Sequence, residues 1–333
     1  MAGFTLKSFE FRREREGAWR ELERLIRRIG AGGLSGLDAE ELYRLPVLYR
    51  AALSSLSVAR AISLDKNVVA YLESLTARAY LAVYGVQRDY GEAFGRFFVR
   101  TFPAEVWRLR REIGLAILVL VLGTLTGFLL TARDPNLFYS LVSEGLAQGR
   151  GPASSREELL EVLKSRGGGL SLLASFLFSH NAKIGMTCFA LGFAAGVPVA
   201  LLLFTNGLML GAFVAIHAQH DLALEFWAWV LPHGVTELLA VCLCGGAGLA
   251  LGRAVVFPGP YARLANLARE GRRAALVVLG SVAMFFVAAL IEGYFRQLVT
   301  DEVPRFMVVF LTSAFWLWYL SIRGQQAFEE TGE

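Results

Sequence analysis

The sequence is poor in the residues that build disulfide frameworks, zinc fingers and nucleotide-binding loops. It holds only three cysteines in 333 residues, Cys188, Cys242 and Cys244. All three sit inside apolar stretches, which argues against a disulfide framework. Cys242 and Cys244 are two apart, so on a helix they point about 200° from each other and cannot pair. There is no C-x-x-C finger and no basic arm. Nineteen of the 33 Lys and Arg residues precede Glu112 and are interleaved with acids. The net charge of +4 therefore reads as a solvated helical face beside an anionic membrane surface, with no nucleic acid expected. No G-x-G-x-x-G follows a strand pattern, and no P-loop lysine occurs. No serine, threonine or cysteine stands beside a base; Cys188 has only His180 and Lys183, one to two turns away. The expectation is no enzymatic activity and no cofactor.

Apolar length is what the sequence has. Hydrophobic residues make up 55%, charged residues only 19%, and mean hydropathy is +0.48. Charge is dense up to Arg111 and thins beyond Glu112, as at a boundary between an aqueous and a lipid-embedded part. The first apolar run begins after more than a hundred residues, so no cleavable signal peptide is expected and the first span serves as the insertion signal. The predicted class is all-α: a polytopic helical membrane protein with about six transmembrane segments, some short or broken. Residues 1–112 form a cytoplasmic helical region, 113–323 the transmembrane domain, and 324–333 a cytoplasmic tail.

In the N-terminal region, Trp19, Leu22, Leu25, Ile26 and Ile29 give one apolar helical face, ended by Gly30, Gly32 and Gly33. A second helix starts near Asp38, with Glu40 and Glu41 in its first turn. Pro46 marks a break or the start of the next helix. Residues 47–86 read as one helical run. Residues 88–111, aromatic and arginine-rich and interrupted near Pro103, suit a membrane interface.

Residues 114–132 contain no charge and follow three arginines, which places the N-terminus in the cytoplasm. Residues 133–183 form an extracytoplasmic segment with a helix over 155–164, and the apolar piece 170–178 is too short to span. The uncharged run 184–216 reads as a span over 184–204, a turn at Asn206–Gly207, and a short segment over 208–218. Residues 222–251 read as a span broken at Pro232. A loop at 252–273, with five basic residues against one acid, is placed in the cytoplasm. Spans over 274–291 and 306–322 complete six and return the C-terminus to the cytoplasm.

The candidate polar core is Asn206, His233, Gly234 and Glu237. His233 and Glu237 are four apart and share a helix face. Ionisable groups in an apolar segment are costly unless paired or set against a polar cavity, so the pair is either a proton, ion or ligand site or a structural hydrogen bond. His-x-x-x-Glu is not the zinc protease motif, and no metal is expected. His217, His220 and Asp221, with His180 on the same side, read as a polar flank of the membrane. Glu225 beside Trp227 and Trp229, and Glu292 after the fifth span, read as interfacial. Gly192–Gly196, Gly207–Gly211 and Gly248–Gly252 have G-x-x-x-G spacing. Together with Gly245 and Gly246 they mark helix packing or an oligomer interface.

Over residues 179–251 the chain resembles the stage II sporulation protein M family. The resemblance is carried by His180-Asn181-Ala182-Lys183-Ile184, Ala190-Leu191-Gly192 with Gly196, and Phe204-Thr205-Asn206-Gly207-Leu208-Met209-Leu210-Gly211. Leu231-Pro232-His233-Gly234 through Glu237 and Gly245-Gly246-Ala247-Gly248-Leu249 continue it. It implies the membrane architecture and the importance of Asn206, His233, Gly234 and Glu237. Family members in spore formers work with peptidoglycan-degrading partners. Others occur beside an RDD-type membrane protein and a MoxR-type ATPase system, and the N-terminal helices here are similar to that branch. The expected role is a non-enzymatic scaffold or subunit of an inner-membrane complex, linked to envelope or membrane remodelling, embedded in the lipid bilayer and self-associating, with a dimer favoured. The alternative is a transporter or channel-like protein with its polar site at His233 and Glu237.

Overall fold

A computed structural model describes residues 7–32, 36–61, 65–84, 90–164, 169–295, 299 and 301–331; for 169–179 only the backbone is described. Helices α1 (Lys7–Gly32), α2 (Ala39–Ala61) and α3 (Lys66–Tyr84) come first. The chain divides into two compact units, Met1–Ala93 and Phe94–Glu333. Charge density changes near residue 112, but the aromatic segment from Phe94 onward packs with the apolar helices.

In the first unit the apolar stripe of α1 meets α2 and α3. Trp19, Leu22, Leu25, Ala52, Leu72 and Leu75 are buried in one core. The Trp19 indole N–H donates to Ser55 Oγ at 3.2 Å, which satisfies its polar end inside that core. A capping box opens α2: Glu41 N–H donates to Asp38 at 2.8 Å, and Asp38 N–H donates back to Glu41 at 3.2 Å. Helix α2 continues through Pro46, so that proline is no break. The single run expected over 47–86 is instead two helices. The second follows Asp65, whose carboxylate accepts from Asn67 N–H at 2.9 Å. Burial and the neighbouring Glu23 carboxylate raise the Tyr71 phenol above its ordinary value.

Helix α4 (Tyr90–Arg96) spans the boundary between the units, and a π-turn Phe97–Thr101 and α5 (Phe102–Arg108) follow in the second. Phe102 is fully buried. Then come α6 (Arg110–Arg133), short helices α7 (Phe138–Leu141) and α8 (Glu144–Ala147), α9 (Arg156–Lys164), α10 (Gly169–Leu191), α11 (Val197–Ala218) and α12 (Ala223–Val256). Helix α13 (Arg263–Leu290) continues as a π-turn to Phe295. Helix α14 (Glu302–Leu317) continues through Arg323 into α15 (Gly324–Glu330). No strand occurs among the described residues. Five helical stretches of this unit are long and apolar enough to cross a membrane: those of α6, α11, α12, α13 with its π-turn, and α14–α15. The chain is an all-α polytopic membrane protein.

Helix α12 is the axis of the bundle and packs on α6, α10, α11, α13 and α14. At 34 residues and about 1.5 Å rise it is ~51 Å long, more than the ~30 Å of a bilayer core. It passes through Pro232 unbroken, contrary to the expected interruption. An unwound turn there would strand further backbone groups away from water, and the helix is continuous on both sides of the proline.

The turn expected at Asn206–Gly207 is also absent. Both residues lie inside α11, and the reversal occurs ten residues earlier, where Ala195 and Gly196 take positive φ of 57° and 75°. Pro198 then sits in the first turn of α11, where its missing N–H costs nothing. The apolar piece 170–178 and the polar residues His180–Lys183 belong to the single helix α10. The arginine-rich stretch 252–273 is mostly helical, and only residues 257–262 connect α12 to α13.

Glycine serves close approach here. A Cβ at Gly207 or Gly211 would collide with the backbone of α6 at Leu120 and Thr124. Reciprocally, one at Gly123 or Gly127 would collide with α11 at Phe204 and Leu208. Gly192 and Gly248 bring α10 and α12 together in the same way, and Gly252 meets the backbone at Ala195 and Gly196. Gly245 faces Leu203, and Gly246 faces Ile113. Of the eight glycines singled out in the sequence, Gly207, Gly211, Gly245, Gly246, Gly248 and Gly252 lie within α11 and α12 against neighbouring segments, and Gly192 and Gly196 lie in the turn between α10 and α11, against α12.

Candidate functional site

Three helices bring polar side chains to one point inside the apolar bundle. Helix α12 presents His233 and, one turn on, Glu237, which are 4% and 3% exposed. Helix α11 presents Asn206, 5% exposed, on the turn that Gly207 holds tightly against α6. Helix α10 supplies Asn181 beside Glu237 and His180 beside Asn206.

Asn181, Asn206, His233, Gly234 and Glu237 line a cavity of about 70 Å³, walled otherwise by Met209, Phe213, Phe226 and Trp229. Asn206 Oδ1 and Glu237 Oε1 are buried and accept from no protein donor. A buried acceptor without a donor is costly, and a cavity of this size with several polar walls accommodates more than one water. Gly234 contributes backbone only, so the wall beside His233 stays open.

Two residues of the site were read otherwise from the sequence. Glu292, expected at the interface, is 3% exposed, and its Oε1 lies 4.0 Å from His233 Nε2. It reaches that position because α13 does not stop at residue 290 but widens into the π-turn Ile291–Phe295. Such turns commonly mark functional positions in helices. An acid directly after an apolar run was the only sequence signal, and it equally suits an interface.

Arg150 was not singled out at all. It is 5% exposed and lines the same cavity. Its guanidinium donates to the carbonyls of Leu146 and Ala147 and lies 4.7 Å from the Phe213 ring. The polar segment after α6 folds back over the ends of α11 and α12: Phe138, Leu146, Leu159 and Leu163 share a core with Phe213, Leu222 and Phe226. That fold carries Arg150 inward.

His217 is fully buried, with Nδ1 2.7 Å from the Phe213 carbonyl oxygen and its ring 4.4 Å from that of Phe226. His220 Nδ1 lies 2.8 Å from the Ile216 carbonyl oxygen. No group of three His, Cys, Asp or Glu side chains suited to a metal occurs among the described residues. Cys188, Cys242 and Cys244 are free and buried. Trp229 is buried against His233 at 6.2 Å between rings, so it belongs to the cavity wall.

A second polar cluster lies at the end of the bundle where α5 meets α13. Arg108 donates to Glu105 at 2.6 Å and to Glu270 at 2.7 Å, and Arg273 donates to Glu105 at 2.9 Å. Arg253 pairs with Glu112 at 2.7 Å. These pairs tie α13 to α5, and the start of α6 to the end of α12.

Fold and site together define a polytopic helical membrane protein whose central helix carries a buried polar centre. Residues 116–296 match the family model for stage II sporulation protein M, more than half of the chain, and the chain belongs to that family. Residues 9–85 match a domain of unknown function, DUF8413. Comparison with curated proteins gives no match, and comparison with solved structures gives none either.

Proposed function

We propose that this protein is a non-enzymatic subunit of a membrane complex, a rigid transmembrane bundle joined to an aqueous helical unit. The observation that carries this reading is a contrast within the bundle. Helices α6, α10, α11 and α12 are locked backbone to backbone through glycines, while α14 packs on α12 and leaves its other face bare. Val303, Met307, Phe310 and Leu311 are each more than half exposed. A locked interior leaves little scope for a moving path, and a bare apolar helix offers an outer face to a second membrane protein.

In this reading the chain lies in the cytoplasmic membrane with both ends cytoplasmic, α10 making a sixth crossing beside the five, supported by the basic excess at 252–273. Its partners are a second copy, as a dimer, and other membrane proteins; a role in envelope or membrane remodelling is in keeping with the family. Cross-linking in intact membranes, followed by mild extraction of a tagged chain, tests it. Reproducible recovery of a dimer or a stoichiometric partner supports the reading, and recovery of an isolated monomer counts against it.

One observation favours a second reading, a proton or small-ion pathway. The cavity beside Asn206 and Glu237 holds two acceptors that no protein donor reaches. Reconstituted protein whose ion flux vanishes in Glu237→Gln would support that role. Absence of flux in the unmodified protein would remove it.

A further inference from the structure

Beside the polar centre, on the outer surface of the second unit, an apolar groove of about 480 Å³ runs between α6, α12 and α14. Its walls include Ile117, Leu239 and Trp316, and Arg110 with Trp107 stands at one end. We infer that this groove binds one acyl chain of an anionic phospholipid, with the phosphate held at Arg110. The inference is independent of the proposed scaffold role.

Length selects the occupant. Along α6 the groove runs from Arg110 to Leu120, ten residues or about 15 Å, close to half of a ~30 Å hydrocarbon core. A transmembrane helix of a second copy would need the full thickness, whereas an acyl chain needs one leaflet.

Charge selects the headgroup. The arginines around this end are matched with acids: Arg108 with Glu105 and Glu270, Arg253 with Glu112, Arg273 with Glu105. Arg110 and Arg111 have no carboxylate partner among the described residues. Arg110 donates only to the Trp107 carbonyl, at 3.1 Å, and its guanidinium lies 5.0 Å from the Trp107 ring. An exposed guanidinium stacked on an interfacial tryptophan is an anchor for a lipid phosphate.

The wall itself supplies the variant. Gly114 lines the groove one turn after Arg110, and a Cβ built there meets nothing within 4 Å. Gly114→Trp therefore fills the groove without a backbone collision, and replacing a helical glycine favours the helix.

The test is native mass spectrometry of lipid-depleted full-length protein offered equal phosphatidylglycerol and phosphatidylcholine with identical chains. The expected result is one retained lipid per chain, with phosphatidylglycerol favoured about five-fold. Arg110→Gln brings the ratio near one while retention persists, and Gly114→Trp abolishes retention of both. Ile117→Trp, on the exposed wall of the same groove, replaces Gly114→Trp if that variant lacks the cooperative melt of the unmodified protein. Equal retention of the two lipids by the unmodified protein overturns the inference. So does undiminished retention in the filled variant, or a dimer that the filled variant splits with no change in bound lipid.

Discussion

Asn206 on α11 and Glu237 on α12 face one small cavity, and each presents a buried oxygen that no protein hydrogen reaches. Neither oxygen was brought there by chance of sequence spacing. Gly207 draws α11 against α6, and α12 runs unbroken past Pro232, so the two side chains meet at one level.

Glu237→Gln keeps the shape of the side chain and removes a carboxylate from the apolar interior. It is expected to leave the protein folded and to raise its stability by about 1 kcal/mol. Thermal unfolding in mild detergent reads this as an unchanged or higher midpoint. A marked drop would show that the carboxylate is required for the fold.

Glycines on α6 and α11 should divide by what they face. At Gly211 a Cβ meets the α6 backbone, and Gly211→Val is expected to cost more than about 3 kcal/mol or prevent folding. At Gly114 nothing stands within 4 Å, and Gly114→Ala is expected to stabilise by roughly 0.5–1 kcal/mol. Equal effects of the two substitutions on the melting midpoint would refute the interlocked packing of α6 and α11.

Arg108 bridges two nearly buried carboxylates, Glu105 and Glu270. Arg108→Met removes the shared cation, leaving Glu105 to Arg273 and Glu270 to Arg269, and is expected to cost about 2 kcal/mol. Adding Glu270→Gln to that variant should recover part of the loss, because it removes one under-compensated charge. Chemical denaturation of the single and double variants measures the recovery, and none at all would mean that the pair is not coupled.

Residues 1–93 have their own buried core around Trp19 and Leu72. Expressed alone, they are expected to be helical and to melt cooperatively. The raised Tyr71 ionisation gives the fragment a pH signature. The folded state resists losing that proton, so the contribution is fully present below about pH 10, the ordinary tyrosine value, and is lost as pH rises through the folded value. Circular dichroism melts between pH 8 and 11 should show this fall, smaller in Tyr71→Phe. A non-cooperative melt at neutral pH would show that the unit does not fold by itself.

Most of the helical architecture was legible from apolar run lengths, and His233 with Glu237 stood out because charges are rare in such runs. What misled was local punctuation. Asn206–Gly207 reads as a turn, yet in a membrane bundle a glycine just as well serves close approach, and here the actual turn carries Gly196 with Pro198. Pro232 reads as a break, yet packing on every side of α12 carries the helix through it. Glu292 and Arg150 lay beyond reach because their burial depends on a π-turn and on a polar segment folding back. Neither leaves a periodic trace in the sequence.

The proposal that this chain is a subunit of a larger membrane assembly is tested most directly by one mass. Particles released from native membranes without detergent would be weighed by native mass spectrometry against the 36.5 kDa of a single chain. The account predicts a particle holding two copies or a copy with a second polypeptide. A particle of one chain and lipid alone, reproduced across extraction conditions, would contradict it.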